Sequence, residues 1–401
     1  MSLDNHPLWR RPRHHLDNDS TNDHVHWIEL FYDLSHVVAI FVLGNYLSHH
    51  LTLSGFFIFS LLFTVIWLAW LDISLFNSLY ISTDVHHRYI MAIQIITIMM
   101  MSASILHIND KGWFFFAFSF CVNRIILSLL YWRARFIEDK KSKLPTELAR
   151  NFFVCGVLLG ISTVIPKPYN YYLFLLAVIL GVLGYVLPRI GVMRCERFIP
   201  RLGHMAERFA LLLLIVSGEG FFKLVITLSE KGIDQVPYDV FINYSIGGLA
   251  IFVLCWIYFD FVGNGKTRDT KKGTILTWAF SHLTLMLSAV MIGVALSAEV
   301  KVSFIDSYPI KYGVIGCLGL AIYLYSLLMI QNVIELRTAH RFATAKVRYF
   351  GIIIALSTLV IVPFVPSIVA NLFWATALFS QIVIPVSKAY ITFSKENKDK
   401  I

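Results

Sequence analysis

Residues 56–79 read FFIFSLLFTVIWLAWLDISLFNSL, and Asp72 is the only charge among them. A helix that is apolar all round has no face to offer water. Roughly 20 mostly apolar residues are enough to cross the hydrocarbon core of a bilayer. This stretch therefore predicts a membrane-spanning helix, and the rest of the chain repeats the pattern. The 401 residues are 57% hydrophobic and 15% charged, against about 25% charged in soluble domains. Their mean hydropathy is +0.68. One globular core cannot hide that much apolar surface, so lipid has to cover it.

Reading outward gives twelve segments: 27–47, 56–79, 89–106, 113–131, 152–165, 171–187, 209–228, 240–262, 275–296, 312–330, 349–365 and 370–390. The fifth is short and ends at Pro166. The last two are parted only by Pro363 and Pro366. The expected fold is an all-α, polytopic bundle of about twelve transmembrane helices. A polar tail, 1–26, is expected to be mostly disordered and too polar for a signal peptide. The helical domain covers 27–390, and a basic tail covers 391–401.

Charge supports the parsing. Of 34 Lys and Arg, only Lys111, Lys167, Lys231, Lys301 and Lys311 fall in connections on one side. Arg124 and Lys223 lie within segments, and all the others fall on the opposite side. This is the bias that marks cytoplasmic loops, and it predicts that both termini are cytoplasmic. It also accounts for the net charge of +9 without nucleic acid as a partner. The five cysteines form no CxxC pair and suggest neither a disulfide framework nor a zinc site. No nucleotide-binding glycine loop or nucleophile elbow occurs, so no cofactor and no enzymatic activity are expected. Trp27, Trp113 and Trp132 fall at predicted interfaces, and Gly156-x3-Gly160 offers a close-packing helix face.

Ionisable groups inside spans cost about 2.5–3.5 kcal/mol each on insertion scales and persist where they face protein or water. Glu29, Asp33 and His36 are spaced to share one helix face, where they could pass protons or lock the helix to a basic neighbour. Asp72 lies near the end of the second segment. Asp84 opens the third, as a pathway residue or as a cap. Arg88 is a natural partner for Asp33 or Asp72, and the buried Arg124 needs a carboxylate. In the seventh segment Glu207 and Arg208 lead to Glu219, near mid-membrane between Gly218 and Gly220. Lys223 follows one turn later, where it could close an ion pair with Glu219. His282 reads more readily as a packing residue than as a ligand. Asp260 and His86 complete the candidates. A metal site joining the first segment to His86 or His87 is conceivable, but no spacing specifies it. Glu29-Leu-Phe31 echoes Glu207-Arg-Phe209, and Trp70-x-Asp72 echoes Tyr258-x-Asp260, which suggests a parallel six-plus-six repeat.

These motifs resemble the bacterial low temperature requirement A (LtrA) family. The resemblance runs through Trp27-Ile-Glu29-Leu-Phe31-Tyr-Asp33-Leu, Trp67-x2-Trp70, Thr83-Asp84-x3-Arg88 and Arg124-x6-Tyr131-x-Arg133. It continues through Glu207-Arg208-Phe209…Gly218-Glu219, Tyr258-Phe259-Asp260 and Ser281-His282-Leu283, and so covers roughly residues 25–390. It departs at His36, where the family carries a hydrophobic residue, and at Ala210, where it carries glycine. The resemblance implies a multi-pass protein of the bacterial inner membrane connected with growth in the cold. It implies no reaction. The residues leave three readings open: a proton- or cation-coupled transporter of a small solute or ion, a structural or sensory membrane protein, and a membrane enzyme acting on a lipid-linked substrate.

Overall fold

A computed structural model describes residues 12–17, 25–82, 84–136, 142–187, 192, 195–263, 265–335 and 342–398. Twelve helices among them are long and apolar enough to cross a membrane. They are α1 (Trp27–His49), α2 (Leu53–Leu79), α3 (Val85–Ser104), α4 (Gly112–Arg135), α5 (Leu144–Val164), α6 (Tyr169–Val186), α7 (Leu202–Lys231), α8 (Tyr238–Phe261), α9 (Lys272–Leu296), α10 (Ile310–Gln331), α11 (Ala345–Ile361) and α12 (Ser367–Lys398). In lipid only intrahelical hydrogen bonds can satisfy every backbone group, so apolar runs of this length become helices.

Several boundaries differ from the hydropathy reading, each for a local reason. α5 begins eight residues before the predicted 152, with Pro145 in its first turn, where the missing N–H is no loss. Residues 144–151 carry Glu147, Arg150 and Asn151, which lower the hydropathy of a turn that is still helical. α12 runs through Pro385 and on through residues predicted as a tail, to Lys398. The α11–α12 break does fall at the prolines: a 3-10 turn, Val362–Phe364, ends in extended backbone at Val365. α7 ends at Gly232, whose φ of 83° costs glycine no Cβ clash. Of the tail expected to be mostly disordered, 1–11 and 18–24 lie outside the described residues, and 12–17 form local structure. There β1 (Arg13–His14) pairs antiparallel with β2 (Tyr80–Ile81).

The chain divides into two compact units. The first comprises Met1–Tyr46, Ile58–Arg208 and Thr270–Leu276. The second comprises Leu47–Phe57, Phe209–Asp269 and Thr277–Ile401. In the first unit α4 packs on α5 across the predicted small-residue face. A Cβ on Gly156 would lie 2.6 Å from Ile125 Cδ1, and one on Gly160 would lie 3.3 Å from Cys121 Sγ. Cys155 then donates to the Ala177 carbonyl of α6 at 3.4 Å. Trp27 and Trp132 are exposed as interfacial rings should be. Trp113 turns inward instead, its ring 4.6 Å from Tyr171 and 4.8 Å from Phe174.

In the second unit α9 meets α10 where Gly319 approaches Met291 and Ile292, and α11 meets α12 around Gln381. Gly220 on α7 faces Gly293 on α9, and a Cβ on Gly293 would come within 2.9 Å of the Gly220 Cα.

Candidate functional site

The first unit gathers its intramembrane charges into two sets, each built on an arginine, although Asp33 Oδ2 and both arginine Nε atoms have no hydrogen-bond partner among the described residues. Glu29 and Asp33, one helical turn apart on α1, both face Arg208. Its Nη1 donates to Glu29 Oε2 at 2.6 Å and its Nη2 to Asp33 Oδ1 at 2.6 Å. His204, one turn earlier on α7, places Nε2 2.9 Å from Glu29 Oε2. From α2, Trp70 Nε1 donates to Asp33 Oδ1 at 2.7 Å, and its ring lies under the Arg208 guanidinium at 5.5 Å. Arg208 and His204 are fully buried. Charge-assisted, two-armed contacts of this kind are the strong ones.

Two residues along α2, Asp72 makes a second set. Arg124 of α4 pairs with Asp72 Oδ2, and Tyr185 of α6 donates to Oδ1 at 2.5 Å. Arg124 also donates to Asn123 Oδ1 at 2.8 Å and stacks 4.6 Å above Phe120. The need of Arg124 for a carboxylate is met here. Arg88 is not the partner of Asp33 or Asp72, because both are already taken. It is half-buried on the first turn of α3. Its nearest recorded influence is on His26, whose pKa falls below the usual histidine value. Burial is the main cause; Glu29 opposes it and the charge of Arg88 adds to it.

Asp84 is the N-cap of α3, accepting from the His87 N–H at 3.3 Å. It is also ion-paired with Arg133, and Ser82 donates to it at 3.2 Å. Burial disfavours its charged form. Arg133 and these hydrogen bonds outweigh that, and the carboxyl is held below the ordinary aspartate range. His86 is exposed, 3.6 Å from Asp84. The conceivable metal site is not assembled: no group of three His, Cys, Asp or Glu side chains that could hold a metal ion occurs among the described residues.

Three other expectations need correction. His36 is buried, but its Nδ1 folds back to the Tyr32 carbonyl at 3.1 Å. Glu207 is half-buried and joins no ion pair among the described residues; the adjacent Arg208 takes the inward direction. Asp260 is exposed and accepts from Trp256 Nε1 at 2.5 Å. His282, named as a pathway candidate, is buried. Its Nδ1 lies 2.8 Å from the Trp278 carbonyl, its Nε2 3.2 Å from the Tyr258 hydroxyl, and its ring stacks on Phe209 at 4.1 Å.

The second unit handles its carboxylates differently. Glu219, midway along α7, is 4% exposed, and neither carboxylate oxygen has a hydrogen-bond partner among the described residues. The expected pair with Lys223 is not closed: Lys223 Nζ donates to Ser48 Oγ at 3.2 Å. Glu219 sits at the glycine crossing, where a Cβ on Gly293 would lie 3.1 Å from its Oε2. A second acid, Glu299, is 1% exposed in the 3-10 turn that follows α9. Asn371 of α12 donates to its Oε2 at 2.8 Å, and its Oε1 has no partner. Arg348 at the start of α11 is fully buried. It is held by neutral amides, Gln331 Oε1 at 3.0 Å and Gln381 Oε1 at 3.0 Å.

Sequence reasoning passed over His204, Tyr185, Glu299, Asn371 and Arg348. Glu299 and Arg348 fall just outside the hydropathy windows and read as loop residues. Chemically, Arg124 and Asp72 form a one-to-one ion pair, while Arg208 holds two carboxylates, with His204 beside one of them. Both terminal nitrogens of Arg208 are engaged, and its Nε has no hydrogen-bond partner among the described residues.

No curated protein and no solved structure matches the chain. The family model described as bacterial low temperature requirement A protein (LtrA) matches residues 24–386, and the chain belongs to that family.

Proposed function

We propose that this protein is a proton- or cation-coupled transporter of a small solute or ion in the bacterial inner membrane, with both termini cytoplasmic. In this reading it moves its substrate without covalent chemistry. The observation that carries the proposal is Glu219: buried, partnerless at both oxygens, and beside the closest α7–α9 approach in the second unit. A carboxylate in the membrane interior is costly and persists chiefly where it serves a pathway. Lys223 supplies the other half of a switch. With Glu219 protonated, Lys223 stays with Ser48. Loss of that proton leaves a charge one turn away from an ammonium that can swing to it. The glycines let α7 and α9 shift against one another without side-chain obstruction. The division into one unit built on α1–α6 and another built on α7–α12 supports the six-plus-six repeat, as expected of many carriers. The Lys and Arg distribution supports the cytoplasmic placement of both ends.

The test is proton flux into liposomes carrying the purified protein, followed with a trapped pH-sensitive dye in sodium and in potassium salts. Wild type should dissipate an imposed gradient, and Glu219→Gln should be no faster than empty liposomes. Unchanged flux in Glu219→Gln removes Glu219 from the mechanism.

A second reading, a structural or sensory role, is favoured by the arginine-built sets of the first unit. It predicts that neutralising those charges lowers the yield of folded protein and alters no flux.

A further inference from the structure

The second unit contains a cavity of about 60 Å³, counted over the positions open to a water centre. Its walls come from α8, α9, α10 and α12. They are almost wholly apolar, with Val253, Ile292, Leu320, Trp374 and Leu378 among them. Two polar side chains break this surface, Glu299 and Asn371. Asn371 uses its amide N–H on Glu299 Oε2 at 2.8 Å. Asn243 does not compete for the carboxylate, because its own N–H donates to the Val302 carbonyl at 2.9 Å. Glu299 Oε1 accepts no hydrogen bond among the described residues in a side chain that is 99% enclosed: the neighbouring Tyr308 hydroxyl donates instead to the Ala295 carbonyl at 2.7 Å, and Glu299 joins no ion pair among those residues. Lys231 Nζ donates to the Val300 carbonyl at 3.1 Å and makes no ion pair with Glu299 among the described residues.

The rim decides the route in. Leu249 on α8 and Phe379 on α12 line the cavity and are 49% and 38% exposed. They belong to the apolar outer faces of spanning helices, and such faces meet lipid. The opening thus leads to hydrocarbon. A molecule that fits must arrive dissolved in the bilayer, lay a hydrocarbon body against the walls, and bring one hydrogen-bond donor to Glu299 Oε1.

We propose that this cavity binds a lipophilic amine, a single-chain molecule with one ammonium head. The ammonium takes Glu299 Oε1, the first carbons of the chain fill the cavity, and the remainder lies in the bilayer. One positive head matches the one unpaired acid. A zwitterionic phospholipid fits less well, because no cationic side chain lines the cavity to receive its phosphate. The site is independent of Glu219.

The experiment uses the full chain in phosphatidylcholine liposomes with two photoreactive probes, dodecylamine and dodecanol, each carrying a diazirine in the chain. Crosslinks are mapped by mass spectrometry. The amine should label the α12 segment 371–379 about tenfold more than the alcohol, as befits one charge-assisted hydrogen bond. Glu299→Gln should remove that preference, while Asp239→Asn, an acid outside the cavity, should keep it. Ala250→Trp, which fills the cavity and leaves Glu299 in place, should suppress labelling by both probes; this arm stands even if the Glu299 variant fails to fold. Equal labelling by amine and alcohol in wild type overturns the proposal. So does an unchanged preference in Glu299→Gln or undiminished labelling in Ala250→Trp. Displacement of the amine by added phosphatidylethanolamine would assign the site to a lipid headgroup and overturn it as well.

Discussion

The first unit buries Glu29, Asp33, Asp72 and Asp84, the second Glu219 and Glu299, and the two differ in what meets them. In the first, Glu29, Asp33 and Asp72 are each met by an arginine and by a neutral donor or imidazole. In the second, Glu219 has no partner, Glu299 has one amide, and the buried Arg348 is answered by glutamines. A closed ion pair gains specificity of packing at roughly break-even energy, and breaking it by removing one partner is expensive. An orphan carboxylate gives the fold nothing and costs desolvation. The difference separates groups that hold helices from groups that exchange ligands.

That contrast can be broken most forcefully at Arg208. Arg208→Met strands two buried carboxylates and should cost about 3–5 kcal/mol, read as a large fall in the melting temperature of detergent-purified protein. Adding Glu29→Gln and Asp33→Asn should recover most of the loss. No recovery would mean that Arg208 acts by something other than charge pairing. Gly293→Ala comes next. The added methyl meets the Gly220 Cα and Glu219 Oε2 and should cost about 1–3 kcal/mol as overpacking, measured by the same melt. A neutral result would show that the α7–α9 crossing has room to spare.

Asp84→Ala should cost roughly 0.5–2 kcal/mol through the lost cap of α3. It also carries a pH signature. The carboxyl of Asp84 is held low in the fold, so its stabilisation is complete above the ordinary aspartate pKa of about 3.9. It is lost as pH falls through the depressed folded value. Wild type should therefore lose stability over that acid window, and Asp84→Ala should show a flatter acid limb. The smallest effect on stability belongs to Glu219→Gln, which removes no recorded contact. It should leave the melting temperature unchanged or raise it by the equivalent of about 1 kcal/mol, even as it stops flux. A destabilised Glu219→Gln would reveal a structural bond.

Much of this was legible in the sequence. Twelve spans follow from apolar length, and the glycine face of α5 follows from its spacing. Arg124 announced that it needed an acid. Which acid was not legible, because i,i+4 geometry ranks neighbours on one helix and says nothing about which helices touch. Arg88 therefore looked like a partner for Asp33 or Asp72, and Lys223 looked able to pair with Glu219. Direction was hidden too. Glu207 and Arg208 are neighbours about 100° apart around the helix, so one turns inward to Glu29 and the other does not. Tyr258 and Asp260 divide in the same way. Glu299 lay past the last apolar residue of its segment and read as loop, until the 3-10 turn carried it back among the helices.

Labelling by a lipid-soluble carbodiimide, which modifies protonated carboxyls in apolar surroundings, tests the contrast directly. Intact protein in liposomes would be treated across a pH series and its acidic peptides quantified. The Glu219 peptide should be modified, more at acid than at alkaline pH, while Asp33 and Asp72 stay intact behind their arginines. Modification of Asp33 and Asp72 with Glu219 inert would contradict the account.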